Sequence, residues 1–522
     1  MFEKCHKCDQ GLECQDDYAS LKSGYWWRWR NESFTIRYRH FIKNILASLP
    51  ALRNDDVQYP HPIPKPYQCP LEESCEGGLD SLCAKGYKGP LCAVCSPGYF
   101  KQLSTCKQCP SKIWTALQLA IVAAIFLVIT AVSVWMSKNR KKKNEEHSLI
   151  DMFLSKIKIA IGFYQVTYGL LEAFSYIQWP DSLQVIGKYS EILQLNVLQI
   201  APVHCLSSGL TLDAFGNLFA IMAINATVIA FAGIAYGLRK VIILKNLSLQ
   251  DEEKAREISK TKELVYRNLF FFLYVTYLST CAKTANVLPL ACRKLCLDEK
   301  QELEHEESCF KYLKADYSIR CHDSSFNHLV IVAYISSAYI IALPAATFIA
   351  LWKQRRINLA SEEAETSDNS SSNTEMISGL RFLFENYKTR SWYWELVETS
   401  RKVIVTSGLI LVGQESRSYI GLAWVIAGMY GVLFAWMRPI KDAFENRLMS
   451  VSLAVTVVTL GIGAVSRIPA ENVPSSDVNQ YMDTVLFNIL VLGANSLIIA
   501  LLLCKEHLSL YITNFKVVII QP

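Results

Sequence analysis

Charged side chains stand out in this chain where they interrupt apolar sequence. The stretch 387–402 is rich in aromatic residues and carries Glu395, Glu398, Arg401 and Lys402. Residues three or four apart lie on one face of a helix, so Glu398 reaches Arg401 or Lys402. We therefore expect a charged collar where a helix enters a membrane. The collar is equally consistent with an interfacial anchor of paired charges and with a coupling helix that moves a gate.

Further polar groups fall inside predicted membrane helices. Glu172 and Lys283 are charged, and a lone charge in hydrocarbon is costly, which makes both residues candidates for a pore or coupling site. For Glu172, two interpretations are equally favoured: a path for ions or substrates, and hydrogen bonding between helices. For the amides, hydrogen bonding between helices is favoured. The amides are Asn217, Asn225, Asn286, Asn488 and Asn495.

Sequence signatures of enzymes are missing from the chain. It contains no P-loop, H-E-x-x-H, G-x-S-x-G or EF-hand motif, and its nine histidines are scattered. We therefore expect no catalytic activity, no cofactor and no metal site. The arginines do not cluster with stacking aromatic residues in a soluble domain, which argues against nucleic acid as a partner.

Cysteines indicate an oxidising compartment. The chain has 17, and ten of them precede residue 110. Such clustering is typical of small domains held by disulfides, although two C-x-x-C pairs before residue 110 would also suit zinc. We favour disulfides because zinc needs reduced thiolates, and we leave the pairing open. The candidates are Cys69, Cys75, Cys83, Cys92, Cys95, Cys106, Cys109, Cys205, Cys292, Cys296, Cys309 and Cys321.

Composition places the chain among polytopic membrane proteins. Hydrophobic residues make up 51% of the 522 residues and charged residues only 19%, with a net charge of +6. Long apolar runs predict an all-α bundle of about nine transmembrane helices. Their predicted bounds are 114–136, 156–178, 215–238, 264–288, 329–352, 394–412, 419–437, 448–465 and 485–504.

Basic residues orient the predicted helices. Five cations lie in residues 137–143, directly after the first apolar run, and further Lys/Arg clusters follow alternate helices. The positive-inside rule therefore predicts an outer N-terminus and an inner C-terminus, in the plasma membrane or secretory pathway. Residues 1–5 lack the apolar region of a signal peptide, and we expect the sequence to begin inside a longer chain.

The predicted domains follow this topology. An aromatic-rich outer segment includes residues 23–29, for which a small aromatic core is favoured over a ligand patch, and a glycosylation sequon at Asn31. A disulfide module follows it, then five helices with a cysteine-bearing outer loop at 289–323, a polar linker, four helices and a tail. The bounds are 1–66, 67–111, 112–356, 357–376, 377–505 and 506–522.

Two resemblances to known families rest on longer motifs. The pattern Gly-Tyr-x-Gly-Pro-x-Cys-x-x-Cys at 86–95 resembles EGF-like modules of the laminin and receptor type. The blocks at 392–402, 438–448, 313–321 and 156–180 resemble the TRP-like multi-pass membrane family, which is related to polycystin and TRP channels. This resemblance covers residues 113–505. It implies cation conduction. As part of the channel hypothesis we also expect calcium as a permeant ion and assembly as a homo-oligomer.

Three functions follow as hypotheses, in this order. The first is a TRP-like cation channel with an outer sensing module. The second is a cell-surface receptor or adhesion protein whose EGF-like region binds an extracellular protein or carbohydrate. The third is a lipid or small-solute transporter with Glu172 as its coupling site. The loop between the sixth and seventh predicted helices is too short to hold a pore loop, which argues against a simple six-helix TRP pore.

Overall fold

The computed structural model describes residues 8, 11–15, 18–47, 59, 61, 63–102, 105–121, 124, 146–174, 177, 179–193, 205, 213–245, 250–296, 309–363, 386–412, 417–466, 485 and 488–500. The chain forms two compact units. The cysteine-rich unit contains Met1–Leu117, Ala201–Gly216 and Asn286–Ala333, and the helical unit contains Gln118–Ile200, Asn217–Ala285 and Tyr334–Pro522.

The cysteine-rich unit is built from short antiparallel strand pairs. Five two-stranded sheets and one three-stranded sheet occur among its described residues. Strands this short bury little apolar surface, so the unit relies on cross-links and tight turns. Its strands are β1 (Leu12–Gln15), β2 (Tyr18–Leu21), β3 (Tyr25–Trp26), β4 (Tyr67–Gln68), β5 (Cys75–Gly77), β6 (Leu82–Cys83), β7 (Tyr87–Lys88), β8 (Val94–Cys95), β9 (Tyr99–Gln102), β10 (Thr105–Gln108), β11 (Cys292–Cys296), β12 (Cys309–Leu313) and β13 (Asp316–Arg320).

Disulfides staple this unit, which confirms the prediction of a disulfide-rich N-terminal region. All twelve candidate cysteines are paired, and Cys8–Cys14 adds a further bridge. The free cysteine of the described residues is Cys281, which is buried in the helical unit. The pairs are Cys69–Cys75, Cys83–Cys92, Cys95–Cys106, Cys109–Cys205, Cys292–Cys321 and Cys296–Cys309.

Glycine in the 86–95 motif has a steric reason. Gly86 adopts φ +94°, a backbone conformation that L-residues rarely take. A Cβ atom there would lie 2.7 Å from the Tyr99 ring. The motif thus closes a turn against a neighbouring strand.

Aromatic residues near the N-terminus form a core. Trp27 and Tyr38 are almost fully buried beside Leu12 and Ile42. The Tyr38 hydroxyl donates to Ala19 O at 2.8 Å and accepts from Ala19 N at 3.0 Å. Tyr38 belongs to helix α1 (Glu32–Ala47), which these bonds tie to β2. Asn31 precedes α1 and is exposed, and its glycosylation stays a prediction.

A three-stranded sheet lies within residues 289–323, where the sequence suggested only a loop. β11 pairs with β12 and β12 with β13, all antiparallel. The sheet packs against residues of the 86–95 motif, because buried Leu91 shares a core with Leu295, Tyr312 and Tyr317. The Tyr67 hydroxyl donates to Cys296 O at 2.8 Å and accepts from Cys296 N at 2.7 Å.

Long helices continue the chain. The helix α5 begins with three acidic residues, which favour a helix N-terminus. α3 lies where no helix was predicted, and α6 extends into the segment 357–376 predicted as a linker. The bounds are α2 (Glu146–Ala173), α3 (Asp181–Leu193), α4 (Ala214–Lys245), α5 (Asp251–Val287), α6 (Ser324–Glu363), α7 (Trp394–Val403), α8 (Arg417–Met437), α9 (Ala443–Ser466) and α10 (Asn488–Ala500).

The prediction of nine spans is not supported. Four described helices are long and apolar enough to cross a membrane, and they correspond to the third, fifth, seventh and eighth predicted spans. They are Ala214–Lys245, Phe326–Lys353, Tyr419–Met437 and Ala443–Val465.

The other predicted spans differ for identifiable reasons. Charged and hydroxyl-bearing side chains interrupt the apolar sequence of α2 and α5, and the collar does so in α7. The described part of α10 is a shorter apolar helix. Residues 112–121 are helical, and most of the first predicted span, 114–136, lies outside the described residues.

α5 presents a polar face despite its burial. Thr276, Thr280 and Thr284 are nearly inaccessible to solvent. Thr284 Oγ1 lies 2.7 Å from Ser336 Oγ of α6, while the other two threonines contact α4. These hydroxyls also bond to carbonyls four residues earlier, so the polar face is satisfied within the bundle.

A proline in α6 creates a second contact with α5. Pro344 has no N–H, so the carbonyl of Ile340 loses its normal helical partner. The Tyr277 hydroxyl of α5 donates to that carbonyl at 2.9 Å. The side chain of one helix therefore replaces the backbone bond missing from the other.

Candidate functional site: a buried charge cluster

Glu395 is the centre of a charge cluster in the helical unit. Its carboxylate accepts hydrogen bonds from Lys158 Nζ at 2.7 Å, from the Tyr387 hydroxyl at 2.8 Å and from the Tyr274 hydroxyl. The donors come from α2, from the segment before α7 and from α5. Glu395 is 3% exposed. One carboxylate therefore joins three separate parts of the chain to α7.

A second carboxylate is paired within α7. Arg401 Nε and Nη2 donate to the two oxygens of Glu398 at 3.0 and 2.6 Å. Lys402 Nζ lies 3.5 Å from the same carboxylate. Bidentate guanidinium–carboxylate pairs combine charge with fixed geometry, which suits burial. The helical spacing predicted from the sequence places these groups together.

Two glycines of α2 make room for this cluster. A Cβ on Gly162 would lie 2.6 Å from Lys402 Nζ, and one on Gly169 would lie 2.6 Å from Thr406 Cγ2. Thr406 belongs to a π-helical segment, Ile404–Gly408, that continues α7. The glycines are seven apart and so lie on one side of α2, where they permit close approach of α7 and the π-helical segment.

Burial controls the electrostatics of the site. Removing charges from water is expensive unless each charge finds a partner, and the pairs around Glu395 and Glu398 supply partners. Burial raises the pKa of the Tyr387 hydroxyl well above its ordinary value, and the negative charge of Glu395 raises it further. Tyr387 thus stays protonated and acts as a hydrogen-bond donor.

A small cavity adjoins the cluster. Among the described residues, Arg401 Nη1 is buried and has no hydrogen-bond acceptor, while the Tyr430 ring lies 5.0 Å from the guanidinium carbon. The arrangement can hold helices in a fixed relation and accept a small acceptor such as water. The cavity is lined in part by Lys158, Gly162, Glu395, Glu398, Arg401, Lys402 and Glu445.

No metal site emerges from the described part of the chain. It contains no group of three or more His, Cys, Asp or Glu side chains suited to hold a metal ion. A second small cavity lies on α5, α6 and α7, and Tyr274, Pro344 and Glu395 line it. Glu395 therefore borders both cavities.

The other predicted site residues lie in separate contacts. Lys283 Nζ forms an ion pair with Glu172 Oε1 at 3.0 Å, which joins α5 to α2. Asn225 bonds to Thr276 and Thr280 of α5, as expected for an amide that links helices. Asn217 lies half-buried on α4.

The amides of α10 are placed differently from each other. Asn488 Oδ1 accepts from Ser182 N at 3.1 Å and from Ser182 Oγ at 2.7 Å. Asn495 Nδ2 donates to Val491 O within α10. Asn488 thus bonds to the first turn of α3, a helix that the sequence did not suggest.

Sequence reasoning missed two members of the cluster. Lys158 interrupts an apolar run and was detectable as an intramembrane cation by the rule that selected Glu172. Tyr274 lies in an apolar, aromatic run of α5, and no local signal distinguishes it from its neighbours. Its role depends on which helix packs against α5.

Comparison with known proteins assigns a family to only part of the chain. Residues 67–109 match the family described as Domain of unknown function (DUF7630). The chain is 23% identical over 468 residues to Cysteine repeat modular protein A of Toxoplasma gondii. The match covers 76% of this chain and 14% of that relative, so the chain spans a small part of the relative's length. No solved structure matches.

These matches fit a disulfide-rich N-terminal module. Neither match is to a TRP or polycystin protein. The four apolar helices indicate a membrane protein, and the disulfides indicate a region of the extracellular or secretory-pathway type.

Proposed function

We propose that this chain is a membrane receptor whose cysteine-rich unit passes a binding event to its helices. The observation that carries the proposal is the packing of the 67–109 module on the β11–β13 sheet. Tyr67 holds the backbone of Cys296 through two hydrogen bonds, and Leu91 lies in the shared core. A ligand that moves the module must therefore also move the sheet.

The sheet lies between two long helices in the chain. α5 ends at Val287, β11 begins at Cys292, and α6 begins three residues after Cys321 closes its disulfide with Cys292. Both helices contribute residues to both units. Displacement of the sheet should therefore displace α5 and α6, which carry Tyr274, Tyr277 and Pro344.

A nanobody raised against residues 67–109 provides a probe that needs no natural ligand. In lipid nanodiscs, its binding should change hydrogen–deuterium exchange within α5 and α6. The Tyr67→Phe variant lacks the hydroxyl that donates and accepts at Cys296, so it should bind the nanobody equally well and transmit less of the change. Identical exchange with and without bound nanobody in the wild type would refute the receptor proposal.

The TRP-like resemblance supports a cation channel, calcium included, as a second candidate. The charged collar and the Glu172–Lys283 pair favour it, because ionisable side chains packed among the apolar helices of a membrane protein are candidates for an ion path. Current through the purified protein in a planar bilayer tests it, and a silent bilayer with folded protein would count against conduction. The transporter hypothesis is tested by Glu172→Gln, which should abolish lipid or solute flux.

A further inference from the structure

We propose that Arg28 and Arg320 form an anion-binding patch that recognises sulfate groups of an extracellular polysaccharide. The proposal rests on the receptor function and names a ligand class for it. Both arginines belong to the cysteine-rich unit and both are exposed. Arginine suits sulfate because its planar fork donates two parallel hydrogen bonds.

The two guanidinium groups share one aromatic ring. The guanidinium carbon of Arg28 lies 5.1 Å from the centroid of the Phe310 ring, and that of Arg320 lies 5.0 Å from it. The two charges are therefore at most about 10 Å apart. Stacking on a ring restricts each side chain before a ligand arrives, which lowers the entropy lost on binding.

Tyr312 contacts the same two arginines. Arg28 Nη1 donates to the Tyr312 hydroxyl at 2.9 Å, and the Arg320 guanidinium carbon lies 6.0 Å from the Tyr312 ring. Tyr312 is opposite Arg320 in the β12–β13 register and is only 4% exposed. The Cys292–Cys321 disulfide follows Arg320 directly and braces the end of β13.

Neither arginine is neutralised by a carboxylate within the described part of the chain. Arg39 shows the contrast, because it is also exposed and forms an ion pair with Asp80. Arg28 and Arg320 instead contact aromatic rings, which orient each guanidinium group without neutralising its charge. Both guanidinium groups are exposed, so their remaining N–H groups can donate to an anionic ligand.

The patch suits a polysaccharide better than an acidic protein. Protein ligands gain most of their affinity from apolar anchors that fill pockets. The apolar residues beneath this patch are already buried, with Leu91 at 0%, Tyr312 at 4% and Tyr317 at 3% exposure. A ligand here gains mainly from charge, which a sulfated polymer supplies at close spacing.

The test measures binding of the full chain in nanodiscs to immobilised heparin at physiological salt. The double variant Arg28→Gln/Arg320→Gln should bind at least about tenfold more weakly, because each arginine loses a charge-assisted hydrogen bond. Arg30→Gln is the matched control, since Arg30 is exposed and two residues from Arg28. It should change the affinity by less than about twofold. Residues 297–308 carry six acidic side chains, which could repel heparin. Every variant retains them, so their effect is the same in each comparison.

Several outcomes would overturn the proposal. They are equal binding by wild type and double variant, an equal loss in Arg30→Gln, or polyglutamate binding as tight as heparin, which would indicate an acidic protein ligand. Arg28→Lys/Arg320→Lys should keep only part of the affinity, because lysine keeps charge without the planar fork. If heparin binding fails while the nanobody still changes exchange in α5 and α6, the receptor function stands and this ligand class falls.

Discussion

Glu395 should contribute more to stability than any exposed charge of this chain, and Glu395→Ala tests that expectation. The change leaves Lys158 with a side chain only 19% exposed and without its carboxylate at 2.7 Å. It also removes the acceptor of two buried hydroxyls, on Tyr274 and Tyr387.

The expected loss follows from burial. Breaking a buried ion pair by removing one partner costs about 3–5 kcal/mol, because an uncompensated charge remains. Replacing both charges with apolar or neutral groups should cost much less. Glu395→Gln/Lys158→Met should therefore recover stability relative to Glu395→Gln alone, and a double-mutant cycle measures the coupling.

The assay is chemical unfolding in nanodiscs, with tryptophan fluorescence as the signal. Asp251→Asn serves as the control, because Asp251 pairs with Lys254 at 3.3 Å with a fully exposed carboxylate. It should change the free energy of unfolding by less than about 0.5 kcal/mol. A loss below about 1 kcal/mol in Glu395→Ala, or strictly additive single variants, would refute the reasoning.

Three further predictions concern packing, backbone bonding and pH. Gly169→Ala should lower the unfolding free energy by about 1–3 kcal/mol, because its Cβ would clash with the π-helical segment. The control is Gly233→Ala, whose Cβ meets nothing within 4 Å and which should be neutral or stabilising in the same unfolding assay. Tyr277→Phe should lower the unfolding free energy by about 1–3 kcal/mol in the wild type. It should lower it less in a Pro344→Ala background, where alanine restores the backbone donor to the Ile340 carbonyl. An equal loss in both backgrounds would exclude the proposed bond. Burial raises the pKa of Tyr38, so the folded chain keeps this proton where the unfolded chain loses it. Denaturant titrations should show stability falling as pH rises above about 10, less steeply in Tyr38→Phe, and equal slopes would contradict the burial argument.

Local patterns predicted those parts of the fold that depend on neighbours in sequence. The apolar runs gave the four helices that can cross a membrane, and the cysteine clusters gave a disulfide-rich region. The spacing of Glu398 and Arg401 placed an ion pair on one helix face. The nine-span count is not supported, because apolar length alone does not separate a span from a buried helix such as α5, whose polar face bonds to its neighbours.

Contacts between distant segments were beyond the sequence. The Cys109–Cys205 pairing joins residues 96 apart, and cysteine spacing allows many other pairings. The β11–β13 sheet shares its core with the module that packs on it, so sequence alone predicts only a cysteine-bearing loop at 289–323. Lys158 pairs with Glu395, 237 residues away in sequence, and no pattern in either segment predicts this contact.

Hydropathy and cysteine density are local properties, so sequence alone was enough to predict a membrane protein with a disulfide-rich region. The candidate charges were also predictable, since a charged residue in apolar sequence is visible residue by residue. The contacts of Glu395 with α2 and α5, and the Phe310 ring shared by Arg28 and Arg320, become visible only in the folded chain. Burial and pairing depend on which segments pack together, and no local pattern encodes that choice.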